Sequence, residues 1–152
     1  MRRVRLRRGF SILELITVVV VVGVLATISA GKVQAIMMQQ RIYRASNIVQ
    51  TDVEAAWALA ARNRRPIRIT WDSANRQMRV TDRAATTNFR RTSLGRDPYG
   101  LPPGSVRFSK DTLEVYPNGL ANDSLFITFS AVGEARRILV SRAGTVKQVP
   151  LP

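Results

Sequence analysis

From Leu15 to Gly31 no side chain carries a charge; Glu14 precedes the run and Lys32 closes it. No other feature of the chain restricts its structure so strongly. A helix needs about 20 mostly apolar residues to cross the hydrocarbon core of a bilayer, and the stretch from Phe10 to Gly31 just meets that length. Its many valines would favour a strand in water, but in lipid a lone segment satisfies its own backbone only as a helix. Five of the first eight residues are arginine: Arg2, Arg3, Arg5, Arg7 and Arg8. A cationic flank of this kind stays in the cytoplasm and sends the chain beyond the apolar run to the other side.

Three readings fit a basic flank and an apolar run. One is a secretory signal peptide cut after Ala30, since Ile28-Ser29-Ala30 loosely fits the small-residue cleavage pattern. Another is a plain membrane anchor. Both leave Glu14 unexplained, because a carboxylate inside the apolar region costs about 2.5–3.5 kcal/mol even on the lenient insertion scale.

The third reading rests on a resemblance. Gly9-Phe10-Ser11-Ile12-Leu13-Glu14-Leu15, with arginines before it and Gly23-Val24-Leu25-Ala26 inside the run, resembles the class III signal of type IV pilins and type II secretion pseudopilins. The resemblance implies that a prepilin peptidase cuts between Gly9 and Phe10 on the cytoplasmic side and methylates the new N-terminus on Phe10. Glu14 then becomes the fifth residue of the mature chain. It lies one helical turn from a cationic amine, and a carboxylate in lipid is tolerated when a cation pairs with it. In the family the glutamate is thought to meet the amine of a neighbouring subunit, so a membrane cost becomes an assembly signal. The leader would be residues 1–9, and residues 10–31 would be the transmembrane and filament-core half of a helix.

Beyond Lys32 the helical period continues. Met38, Ile42, Ala45, Val49, Val53, Ala56 and Ala60 recur in steps of three and four, forming an amphipathic stripe. The stripe reads as a core-facing surface, and Trp57 reads as core too. No proline interrupts before Pro66, and Asn63-Arg64-Arg65-Pro66 is a plausible stop, so residues 32–65 are read as the amphipathic half of the same helix. After Pro66 the period becomes two: Ile67, Ile69 and Trp71 alternate with Arg68 and Thr70, and Met78 and Val80 with Gln77 and Arg79, across an Asp72-Ser73-Ala74-Asn75 turn. Residues 82–104 lose any period and collect glycine and proline, which reads as a long loop. Strand signals return at 106–108, 113–116, 124–130, 136–141 and 145–149, separated by Pro117-Asn118-Gly119, Val132-Gly133-Glu134 and Arg142-Ala143-Gly144. The expectation is an α+β chain: one long N-terminal helix packed on an antiparallel β-domain spanning 66–152.

The C-terminal half adds to the resemblance. Pro117-Asn118-Gly119, Phe126-Ile127-Thr128-Phe129, Arg137-Ile138-Leu139-Val140-Ser141 and Gly144-Thr145-Val146 are similar to the last three strands of GspH/FimT-type minor pseudopilins and minor pilins. Two departures stand out. The proline common near the end of that family's membrane segment is absent, and Thr145 follows the final glycine where arginine is frequent.

Nothing in the sequence points to catalysis, to a cofactor or to a metal site. With 152 residues there is no cysteine, which excludes disulfides and thiol chemistry, and no histidine, the commonest general base and metal ligand. The ten acidic residues are dispersed. The charge is more informative. The whole chain is formally +14, and from Lys32 onward 19 basic residues stand against 9 acidic ones. Sixteen of those 19 are arginines, the side chain best suited to forked phosphate contacts. Arg83, Arg90, Arg91 and Arg96 gather in the long loop, and Arg136, Arg137, Arg142 and Lys147 in the last two strands. Such a surface is the electrostatic footprint of a nucleic-acid binder, and equally the solvated face of an arginine-biased sequence. FimT-type minor pilins are associated with DNA uptake, so the resemblance permits DNA contact at Arg136, Arg137, Arg142, Lys147, Arg90 and Arg91.

The resulting expectation is a single-pass inner-membrane protein with its C-terminal domain outside the cytoplasm, built into a filament after processing. Its partners would be prepilin peptidase and other pilins or pseudopilins. As a minor pseudopilin of a type II secretion pseudopilus it would also meet secreted cargo; as a FimT-like minor type IV pilin it would meet DNA.

Overall fold

The computed structural model describes residues 11–131 and 134–151. Backbone contacts divide the chain into two compact units, Met1–Ile36 and Met37–Pro152, and one helix, α1 (Ile12–Asn63, 52 residues), contributes to both. Ser11 caps its start: the side-chain oxygen accepts the Glu14 backbone N–H at 3.2 Å, relieving one of the donors a helix leaves without a partner in its first turn. At the other end Arg64 takes φ 51°, the left-handed conformation that usually terminates a helix on glycine, and Pro66 prevents resumption.

In the first unit the described side chains from Ser11 to Thr27 are all exposed, with Ile12, Leu13, Leu15, Ile16 and the valines after them presented around the whole circumference. A helix apolar on every side belongs in lipid or in a protein interior, and α1 is long and apolar enough to cross a membrane.

The second unit is built on the stripe. Ile42, Ala45, Val49, Val53, Ala56 and Ala60 are fully buried and Met38 packs beside them, so α1 turns one alanine- and valine-rich face to the strands. Small residues on that face let the helix lie close to the sheets. Among the described residues eight antiparallel strands form two sheets. The first contains β1 (Ile67–Asp72), β2 (Gln77–Asp82), β3 (Asn88–Ser93) and β5 (Thr112–Val115) in the order β3-β2-β1-β5. The second contains β4 (Val106–Phe108), β6 (Leu125–Ala131), β7 (Glu134–Val140) and β8 (Val146–Leu151) in the order β4-β6-β7-β8. Strand alternation is clean where a sheet covers the core: Ile67, Ile69 and Trp71 are buried on β1, and Leu125, Ile127 and Phe129 on β6. Both sheets and the stripe share one hydrophobic cluster. Trp71 of β1 stacks on Phe108 of β4 with ring centroids 4.5 Å apart, which ties the sheets to each other.

The long helix on antiparallel strands agrees with the sequence reading. The loop at 82–104 does not survive intact, because β3 lies within it. Only Phe89 among Asn88–Ser93 is a large apolar residue, and the strand occupies the edge of its sheet with one row of β2 partners. An edge strand that buries little has no need of alternation, so no period marks it in the sequence.

Candidate functional site

Two regions carry the sequence-derived sites. The first is the start of α1. Glu14 is exposed in the first helical turn, where a carboxylate also complements the positive end of the helix dipole. Ser11-Ile12-Leu13-Glu14 has the S-x-x-E spacing of a capping box, of which the Ser11 hydroxyl to Glu14 N–H half is formed. Gly9 and Phe10, where cleavage is expected, lie outside the described residues, as do the leader arginines.

The second is the basic surface, which the fold divides. Arg90 of β3 is committed to the helix: its Nη1 lies 2.5 Å from Asp52 Oδ1, and Asp52 is 2% exposed. Thr92 donates its hydroxyl to the other oxygen of the same carboxylate. Arg91, on the opposite side of β3, donates from Nε to Gln77 Oε1 at 3.0 Å. Arg136 and Arg137 are consecutive on β7 and therefore point to opposite faces. The Arg136 guanidinium lies over the Tyr43 ring of α1, 5.0 Å from its centroid, a cation–π contact. Arg137 faces outward into a depression shared with Arg107, Phe126 and Thr128. Arg142 sits exposed in the turn before β8, and Lys147 is exposed on β8 itself. Of the six arginines and lysines named from the sequence, only Arg137 and Lys147 share a sheet face. Arg107, which the sequence reading left aside, joins them there, and its place between Val106 and Phe108 in an alternating triplet was the available signal.

The C-terminal turns are anchored from the helix. Trp57, half-buried rather than fully enclosed, donates its indole N–H to the Gly119 carbonyl at 3.0 Å and lies against Gly144. Two acidic side chains organise turns of the first sheet. Asp72 accepts from the Asn75 side-chain amide and backbone N–H, which holds its carboxyl below the usual carboxylate range. Asp82 is lowered in the same way by the Thr86 hydroxyl and the Thr87 N–H. Among the described residues no three metal-ligating side chains come together.

No protein-family model matches the chain, and no curated protein does. Solved structures do. The type IV minor pilin FimU of Pseudomonas aeruginosa superposes with a TM-score of 0.59 at 15% identity, covering 74% of this chain and 90% of that one. The chain has a pilin fold. A second crystal form of FimU gives a TM-score of 0.56, also at 15% identity, over 71% of this chain and 92% of FimU. The minor pseudopilin EpsH from the type 2 secretion system of Vibrio cholerae is similar at 11% identity, with a TM-score of 0.49 over 72% of this chain and 97% of EpsH.

Proposed function

We propose that this protein is a minor subunit of a type IV pilin-like filament, made as a membrane-inserted precursor, cut between Gly9 and Phe10 by a prepilin peptidase and assembled through α1. The observation that carries the reading is the start of α1: a single carboxylate, Glu14, heads an exposed, uncharged apolar helix that continues into a domain of pilin fold. An apolar helix of this kind leaves lipid only for other apolar surroundings, and packing among other such helices supplies them. Removal of the leader puts an amine on Phe10, and Glu14 pairs with the amine of an adjacent subunit. The carboxylate that is costly in lipid thereby favours the filament.

Of the two settings, a secretion pseudopilus is favoured over DNA uptake by the dispersal of the arginines. Of the six side chains named for DNA contact, Arg90 is engaged by a buried carboxylate, Arg91 by Gln77 and Arg136 by an aromatic ring, and only Arg137 and Lys147, joined by Arg107, share one sheet face. A duplex needs several phosphate contacts along one surface, and each adds to the salt dependence. Glu14→Ala is the test of the assembly reading. The variant is expected to be processed and to keep a folded β-domain while its incorporation into filaments falls sharply; incorporation at the level of the unaltered chain would refute the role of Glu14.

A further inference from the structure

The outward face of the second sheet carries an apolar strip with a basic border. The registers place Arg107, Thr128, Arg137 and Val149 in one row across β4, β6, β7 and β8, and Phe126, Leu139 and Lys147 in the next. Their neighbours Ile127, Phe129, Ile138 and Val140 are buried, so alternation directs both rows away from the core. Phe126 is 46% exposed and Val149 38%. Beside Phe126 the depression at Arg107 and Arg137 encloses about 320 Å³. No carboxylate stands in either row, and among the described residues Arg107, Arg137 and Lys147 form no ion pair. Arg137 Nε is buried without a hydrogen-bond partner, and a desolvated charged donor left unpaired is unfavourable until an acceptor reaches it.

We propose that this face is a docking surface for a different protein, one that presents an aliphatic or aromatic anchor bordered by carboxylates. The anchor covers Phe126, Leu139 and Val149; the carboxylates meet Arg107, Arg137 and Lys147. Exposed aromatic and arginine side chains around an apolar centre are the composition of a protein interface, and the lack of a balancing carboxylate in either row selects an acidic partner. A second copy of this chain fits poorly. It is itself basic, with 24 basic against 10 acidic residues, and five of those ten acids are already engaged: Asp52, Glu114 and Asp123 in ion pairs, Asp72 and Asp82 in their own turns. A nucleic-acid strand would satisfy the arginines and stack on Phe126 but would leave the aliphatic side chains of β7 and β8 uncovered. The face shares no residue with the apolar start of α1, so this test and the Glu14 test fail independently.

The experiment uses the full chain in detergent micelles and three labelled probes: an extended peptide alternating glutamate and leucine, the same peptide with serine for leucine, and an oligothymidylate of equal charge. Binding is read by fluorescence anisotropy. The glutamate–leucine peptide is expected to bind at least about tenfold more tightly than the other two, and Phe126→Ser and Arg137→Gln each to weaken it by about tenfold. Lys147→Glu, at an exposed position that leaves packing intact, is expected to weaken it as well, and Arg142→Gln, in the turn, to leave it unchanged. The proposal is overturned if the peptide does not bind, if serine replaces leucine without loss, if these variants have no effect, or if oligothymidylate binds more tightly through the same residues.

Discussion

The indole of Trp57 lies so near Gly144 that a Cβ on that glycine would come within 2.6 Å of Nε1. Gly144 also has φ +81°, a conformation costing an L-residue about 1–2 kcal/mol. The glycine thus answers two demands: the turn into β8 and the close approach of a helix side chain. Gly144→Ala is expected to destabilise the domain by about 2 kcal/mol or more, adding the backbone strain to the loss of the Trp57–Gly119 hydrogen bond. Denaturant unfolding in a Trp71→Phe background, which leaves Trp57 as the only indole, measures both the loss and the changed environment. A change under about 0.5 kcal/mol, the range of an ordinary surface substitution, would mean that Trp57 moves aside freely. The carboxylates of Asp72 and Asp82 act at the same scale. Because their folded-state pKa values are depressed, the stability they contribute is fully present above the ordinary carboxylate pKa of about 3.9 and is lost as pH falls through the lower folded value. Amide exchange at Asn75 and Thr87 is expected to accelerate on acidification below that range ahead of exchange in the core strands. Simultaneous acceleration everywhere would assign acid sensitivity to other groups.

At the scale of elements, the helix stripe and the strands at the core were legible because burial imposes a period: Ile42 through Ala60 at 3.6, and Ile67, Ile69 and Trp71 at 2. β3 was not legible, since apart from Phe89, which packs against the core, what holds it is polar. Its ladder to β2 is backbone, and its tie to α1 is the Asp52 carboxylate, beside the stripe residue Val53, reaching Arg90 and Thr92. The residue-by-residue pattern placed Arg136 and Arg137 together as one basic group, whereas strand geometry sends one onto the Tyr43 ring and the other outward. Sequence adjacency on a strand is spatial separation, and only the register joins Arg137 to Arg107 two strands away. Asp52→Ala removes the carboxylate that bridges α1 and β3 and leaves Arg90, which is 44% exposed, free to turn to solvent. Solvent access to Arg90 moderates the cost, so the expected loss is about 1–3 kcal/mol, with exchange protection falling first in β3. If β2 and β3 keep full protection, Asp52 serves something other than anchoring that edge.

At the scale of the whole molecule, the core begins late in the chain. Among the described residues no buried hydrophobic precedes Ile42, and Met38 is the first side chain packed against the cluster. Among the described residues before it, the side chains contribute length and apolarity but no part of that interior, so they answer to the apolar surroundings such a helix needs while residues 37–152 answer to the fold. Two independent physical problems are therefore solved by successive parts of one helix. A chain reduced to residues 37–152 is expected to be soluble without detergent and to unfold in a single cooperative transition. Its melting temperature should lie within a few degrees of the β-domain transition of the full chain, because a loss of about 1 kcal/mol shifts a domain of this size by only about 4–8 °C. Near-ultraviolet circular dichroism from Trp71 stacked on Phe108 reports whether the two sheets still meet. A broad transition with that signal lost would show that the apolar half of α1 supports the interior of the domain, and the two parts of the helix would then have to be treated as one structural element.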